Sequence, residues 1–453
     1  MIVLRKRLIF WLLKAYVKRW GRNIVIYFGV GLFVFFILKM LLPYFITMLP
    51  FVEKETIGMV GPYTTDNLPQ EILSKISKGL TKIEKDGSIK PDIAGRWKIA
   101  PSGKGYAFYL REDVRFSDGS FVTSGDIDYG FSDVVVLRPN KYTIVFNLQE
   151  SYSPFLTTVS RPIFKKNFVG IGDYKVKKIK LNGDFIESIE LYSEKYHKAL
   201  IYQLFYPTTT ALKIAFSLGE VSKITNLPDL NFKGTTFSSF KNVNIKKKVN
   251  YNKLVTLFFN TKDNVLSSKT LREGLWYTMP ENFVQGERNS TPLSYFSYAS
   301  QEGVNTYRED LEHAKLLIDK SEIATGSSKI SLTIDTLPKY EETAKAIGKI
   351  WKKLNIDTKI RVINEVPSNF QIFLGEFNLS PDPDQYTLWH SDQVNNISHY
   401  DNKRIDKLLE DGRKELDTKK RVQIYSDFQK YLFLDPPASF LFFPYYYEVS
   451  IDK

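Results

Sequence analysis

The 453-residue chain contains no cysteine. That absence removes disulfides, thiolate zinc sites, cysteine nucleophiles and the lipid-carrying cysteine of a lipoprotein signal, while leaving the redox compartment open. Histidine is scarce: the four are His197, His313, His390 and His399, and only the last two are near each other in sequence. No H-E-x-x-H or comparable spacing accompanies them, so neither a metal nor a cofactor is expected. A histidine beside an aromatic in a loop is more often a hydrogen-bonding structural residue. G-x-S-x-G and P-loop patterns are also missing. Asp382 and Asp384 lack the flanking context of a carboxylate pair built for acid and base work, so an enzyme is not expected. With no arginine-rich stripe or RNA-binding signature, nucleic acid is not an expected partner either.

Acidic residues are absent before Glu53, whereas Arg5, Lys6, Arg7, Lys14, Lys18, Arg19 and Arg22 precede an uncharged run over residues 24–38. After Lys39 a second apolar run continues to residue 52. A bilayer needs roughly 20 apolar residues, so a transmembrane anchor is expected over 24–48, with Lys39 snorkelling or facing a partner. The positive-inside rule puts residues 1–23 in the cytoplasm and the body outside, at the cell membrane. Residues 8–20 mix apolar and basic positions, as a segment lying along the inner leaflet would, although an unstructured basic tail reads the same way. A cleavable signal peptide is the competing reading, but the stretch is long and no A-x-A-like site follows it. The net charge of +13 comes largely from here: residues 1–52 hold eight of the 63 basic residues, leaving 55 against 50 acids in the body.

The body is long enough for two or three lobes. Strand-like ETIGMVG leads to Pro62 and Tyr63, then a helix near Pro69 places Ile72, Leu73, Ile76 and Leu80 on one face. WKIA, YAFYLR and VRFSDGSFV, with turns between them, read as a small antiparallel sheet, and YTIVFNL adds another strand. Further on, VTLFFN reads as an apolar strand, and SSKTLREGLWYTM as a helix capped by Ser267 or Ser268. KISLTIDTL, YEETAKAIGKIWKKLN and DTKIRVI form a βαβ pattern that predicts parallel pairing. Near the C-terminus, PDPDQYTLWHS packs turn-formers, acids and aromatics into one segment. It reads as a ligand-cleft loop or as a polar turn before an ordinary helix.

In this order the segments resemble the extracytoplasmic solute-binding proteins of ABC importers of the oligopeptide, dipeptide and nickel type. The most specific stretch is residues 76–131, ISKGLTKIEKDGSIKPDIAGRWKIAPSGKGYAFYLREDVRFSDGSFVTSGDIDYGF. YTIVFNLQESYSPFL, GIGDYKVKKI, YREDLEHAKLLID and the final helices and strand extend the likeness over residues 57–449. The resemblance implies an α/β, two-lobed periplasmic-binding-protein-like fold with a third small inserted domain. Lobe I would take residues 53–69, 168–250 and 440–453, the inserted domain 70–167, and lobe II 251–439. It also implies a monomer that binds a peptide or another small extended solute between the lobes and hands it to ABC permease subunits. A membrane-tethered sensor or chaperone using the same cleft would look alike.

In peptide-binding relatives an aspartate shortly before the DPD segment holds the peptide's amino group, and here that position is Leu379. Glu376 is a neighbouring acid that would supply the charge, or a surface residue of an ordinary turn. The link between DIDYGFSDV and VVVLRPNKYTIVF is short, which points to a more open cleft. The expected cleft residues are Tyr63 in the first-strand loop and Glu376, Asp382, Asp384, Tyr386 and Trp389 in the second lobe. Trp389 reads equally as a core anchor, and Asp382 as a cap for its turn.

Overall fold

A computed structural model describes residues 6–48, 53–84, 86–196, 198–300, 308–321 and 329–451. His197 lies outside the described residues. The chain forms two compact units, Met1–Lys54 with Lys195–Ala199, and Glu55–Glu194 with Leu200–Lys453.

The first unit is built on a helix, Lys6–Met48. Apolar side chains such as Phe28, Phe33 and Phe35 are exposed along it. Among the described residues no single helix is long and apolar enough to cross a membrane. A pair bent by 52°, Lys14–Asn23 and Val25–Ile37, has the combined length and apolarity to do so. The single straight span expected over 24–48 is thus not shown: the apolar piece Val25–Ile37 alone is shorter than the roughly 20 residues a bilayer needs.

The second unit is organised by one 14-residue strand, Ala438–Ile451. Its first part pairs antiparallel with Lys253–Phe259, Ala438 lying opposite Phe258 and Phe442 opposite Val255. Its second part pairs antiparallel with Val243–Val249 and Lys223–Leu227. Aromatic and apolar residues suit such a central strand, and Pro444 falls where pairing passes from one set of partners to the other. Residues 249–252 cross at the same place, Val249 opposite Tyr445 and the Asn250 amide donating to the Pro444 carbonyl at 2.9 Å.

Beyond Lys253–Phe259 the sheet continues through Ile372–Asn378, Ser331–Thr336 and Asp357–Val362. The βαβ reading holds: Ser331–Thr336 and Asp357–Val362 are parallel, joined through helix Glu341–Lys353. That helix buries Ala344, Ile347 and Trp351 at helical spacing, and its acidic first turn and basic last turn suit the helix dipole. Helix Lys269–Tyr277 is capped by Ser268, whose hydroxyl accepts from the Leu271 amide at 3.3 Å. Ser268→Ala should lower the unfolding free energy by about 1 kcal/mol, read as a lower urea midpoint at unchanged slope. These elements enclose the largest core, which contains Trp276, Trp351 and Trp389 and also takes Phe440 to Phe443.

On the other side, Glu53–Val60 runs parallel to Lys223–Leu227 and Phe205–Tyr206. A methyl group at Gly58 would run into Leu212 Cδ1, so that side chain would have to shift. Two smaller cores flank this part, one around Ile57, Ile72 and Ile189, the other around Leu212, Ile224 and Phe237.

Residues 80–171 hold a core of their own around Tyr106, Phe108, Phe146 and Phe155. Its four-stranded antiparallel sheet runs Ala94–Ile99, Gly105–Leu110, Thr143–Leu148, Val134–Asn140. VRFSDGSFV contributes only one bridge, Arg115 to Phe121, instead of the expected strand. Asp118 accepts from the Ser120 amide and hydroxyl, and Gly119 takes a positive φ of 88°, so the segment spends itself on the turn. Val134–Asn140 occupies the sheet edge, which tolerates Pro139.

Candidate functional site

Two parts of one sheet meet at Ala438–Ile451, and strand ends in both parts carry the candidate residues. Ser331–Thr336 and Ile372–Asn378 are parallel, and Lys253 lies opposite Asn378, so Lys253, Lys339, Tyr340 and Glu376 gather at the carboxyl end of these strands. Open α/β sheets hold ligands at such ends. Tyr63 approaches from the other side, following the carboxyl end of Glu53–Val60. Its ring stands edge-on to Phe205 at 4.7 Å and lies over Gly61, where a Cβ would come within 2.7 Å of it. Burial raises the Tyr63 pKa, and the Lys253 ammonium pulls against that shift across the gap.

Glu376 is fully engaged. Lys253 Nζ donates to Oε1 at 2.6 Å, Lys339 Nζ lies 2.9 Å from the same oxygen, and the Tyr340 hydroxyl donates to Oε2. Burial pushes the carboxyl up, but the Lys339 and Lys253 charges and the hydrogen bonds outweigh it and bring the pKa to about 2. Because this lies below the ordinary carboxylate value of about 4.3, the cluster stabilises the fold above that pH and loses its effect as pH falls through about 2. Stability measured from about pH 5 to about pH 2 should fall by at most about 3 kcal/mol through this group, a fall that Glu376→Gln should lack.

The loop after Asn378 is held from within. Asp382 forms two hydrogen bonds with Arg421, at 2.9 and 3.0 Å, with both side chains buried. It also accepts from the Asp384 amide at 3.0 Å, closing the turn. Asp384 accepts from Arg413 Nε at 2.9 Å; burial pushes its pKa up against the pull of that guanidinium. Tyr386 stacks on His390 at 4.1 Å and lies under Arg413 at 4.1 Å. Trp389 is 1% exposed, packs on Phe258 and Phe440, and donates its indole N–H to Gln385 at 2.8 Å. It therefore takes the core position that the sequence leaves as one of two readings. Leu379, 7% exposed, is tied by its amide to the Asn252 carbonyl at 2.8 Å.

The 80–171 body meets this loop and the helix Lys403–Lys414. The Ser153 amide donates to the Arg413 carbonyl at 2.8 Å, the Ser151 hydroxyl to the Lys414 carbonyl at 2.7 Å, and Glu150 pairs with Lys414 at 2.6 Å. Beside this seam is a cavity of about 620 Å³ lined by Phe131, Tyr152, Phe155, Tyr386 and Arg413. A second, of about 720 Å³, lies between Ser74, Lys78 and Glu84 on one side and Asn252, Phe296 and Pro381 on the other. Both have the size of small-molecule sites. Among the described residues no group of three histidine, aspartate or glutamate side chains is placed to hold a metal ion.

The profile of the bacterial extracellular solute-binding proteins, family 5 Middle, matches residues 88–398. The chain belongs to this family. The oligopeptide-binding protein AppA of Bacillus subtilis (strain 168) is 21% identical over 461 residues, covering 84% of this chain and 83% of its own. Among solved structures, the ABC transporter substrate binding protein CtaP from Listeria monocytogenes is similar with a TM-score of 0.74 at 20% identity, over 88% of this chain and 94% of that one. NikZ from Campylobacter jejuni, solved in complex with Ni(L-His), gives 0.73 at 20% identity over the same shares. At these identities the likeness of structures shows the mixed α/β fold alone.

Within this solute-binding fold, the six expected cleft residues do not form one contact set. Tyr63 follows the carboxyl end of Glu53–Val60, Glu376 lies near that of Ile372–Asn378, Tyr386 lines the smaller cavity, Asp382 and Asp384 brace the loop, and Trp389 is in the core. Sequence reasoning missed Lys253, Lys339, Arg413 and Arg421, and the cavity aromatics Phe131, Tyr152 and Phe155. The aromatics carry a signal, since each stands in a block quoted for the family likeness. Arg413 and Arg421 lie in the final helices of the same likeness, but no local signal ties them to Asp384 and Asp382, and Lys253 and Lys339 carry none, because the partners are remote in sequence.

Proposed function

We propose that this chain is a membrane-anchored, extracytoplasmic, non-enzymatic binding protein that captures a peptide or similar small extended solute and delivers it to an ABC permease. The observation that carries this reading is the two parts of the sheet joined by two adjacent crossings, residues 249–252 and 443–446, an arrangement suited to a hinge beneath a cleft. Lobe I takes 53–69, 168–250 and 440–453, the inserted domain 70–167 and lobe II 251–439; the packing of Phe440 to Phe443 with lobe II makes their strand the shared element. Tyr63, Tyr386 and the Glu376 cluster face the solute, while Asp382, Asp384 and Trp389 act by fixing the loop. AppA supports a peptide cargo by its name, and NikZ shows that a metal–amino-acid complex fits a similar fold. The basic, acid-free N-terminal segment supports an anchor near residues 24–48 with a cytoplasmic N-terminus, using the bent pair of helical pieces. The body acts as a monomer.

Native mass spectrometry of the full chain, purified gently in detergent from its own host and then denatured, tests this. Release of short peptides or another small solute at one per chain is the expected result. Hydrolysis of added peptides by the purified chain would overturn the reading.

A further inference from the structure

Lys253 and Lys339 share a single carboxylate, that of Glu376. Among the described residues no second acid pairs with either lysine, so the cluster keeps one uncompensated positive charge. The Glu376 side chain is 15% exposed, whereas each lysine side chain is 39% exposed. The acid is therefore the inner member and the two ammonium groups are the outer ones. The Tyr340 hydroxyl, itself buried, fixes the second carboxylate oxygen and holds the group in place. The cluster stands at the carboxyl end of the parallel strands Ser331–Thr336 and Ile372–Asn378 and at the amino end of the antiparallel Lys253–Phe259; the Lys253 charge acts on Tyr63, and the adjacent Leu379 presents no charge.

A cleft wall that was only a structural ion pair would need one lysine. Two partly exposed ammonium groups anchored on one buried acid form a preorganised pair of donors, suited to an incoming anion. We propose that Lys253 and Lys339, held by Glu376, receive a carboxylate of the bound solute. The inference deepens the proposed cleft function by naming the solute class: an extended molecule with a free acid, either a peptide through its C-terminus or a non-peptide organic acid. It also assigns Glu376 a positioning role in place of direct capture of an amine. Each ammonium has hydrogen-bonding capacity beyond its single bond to Glu376.

The test is calorimetric titration of the full chain in detergent with tetra-alanine, its N-acetyl form and its C-terminal amide. The acid and its N-acetyl form should bind within about threefold of each other, and the amide at least about tenfold more weakly. Lys339→Met should reduce that acid-to-amide ratio severalfold. Glu376→Gln, which releases both ammonium groups from their anchor, should likewise weaken the acid while leaving the amide within about threefold of the parent; a loss confined to the acid separates recognition from misfolding. An amide that binds like the acid, loss of binding on N-acetylation, or acid and amide weakened equally in a folded Lys339→Met or Glu376→Gln chain would overturn the proposal. If no tetra-alanine form binds, the peptide reading is in error, and thermal shifts with organic acids beside their methyl esters decide the carboxylate reading. Stabilisation by an acid but not its ester supports it, and stabilisation by neither overturns it.

Discussion

Replacing Arg421 with methionine is expected to lower the unfolding free energy by about 3–5 kcal/mol, because it leaves the Asp382 carboxylate buried without its counter-charge. The two side chains are 5% and 7% exposed and share two hydrogen bonds. Arg421 also donates to the Gly412 carbonyl at 2.9 Å and to the Tyr298 hydroxyl. Burial works against the guanidinium charge, yet hydrogen bonding to Asp382 and its charge more than offset this and raise the Arg421 pKa. The pair is therefore expensive to break from one side only. Asp382→Asn combined with Arg421→Met removes both charges and should recover much of the loss, a comparison read from urea midpoints. Equal destabilisation in the single and double variants would show that packing around Arg421, and not the orphaned charge, sets the cost. The same substitution should weaken solute binding, since Asp382 closes the turn that carries Asp384 and Tyr386.

What the sequence disclosed was local. Ser268 caps its helix because the cap bond spans three residues, and the βαβ unit follows from apolar spacing within each segment. The acids of the PDPD segment were legible as turn formers for the same reason. Their partners were not: Arg413 and Arg421 reach Asp384 and Asp382 from two later helices, Lys403–Lys414 and Thr418–Leu434. Glu376 shows the limit most clearly. From the family resemblance it was an acid beside the expected amine site, whereas the fold brings in Lys253 from an antiparallel neighbour strand and Lys339 from the turn after a parallel one. Those contacts reverse the sign of the local charge. Val134–Asn140 drew no strand reading from the sequence; it tolerates Pro139 because it is an edge strand whose register shifts between Leu137 and Asn140.

Trp389→Ala should cost about 3–5 kcal/mol, whereas Trp389→Phe should cost less than about 2 kcal/mol. The indole is 1% exposed, stacks near Phe258 at 6.1 Å and meets Phe440 edge-on at 5.9 Å. Truncation would leave a cavity in the largest core, while phenylalanine keeps most of the ring contacts and forfeits the bond to Gln385. A buried anchor and a ligand platform predict different couplings. If Trp389 supports the loop from behind, the phenylalanine variant should bind solute with affinity within about threefold of the parent, and the alanine variant should lose binding in step with its folded fraction. A direct platform would instead show an alanine variant with a normal urea midpoint and a large drop in affinity. The geometry favours the first outcome, because no face of the ring is open to a solute while the loop keeps its present path.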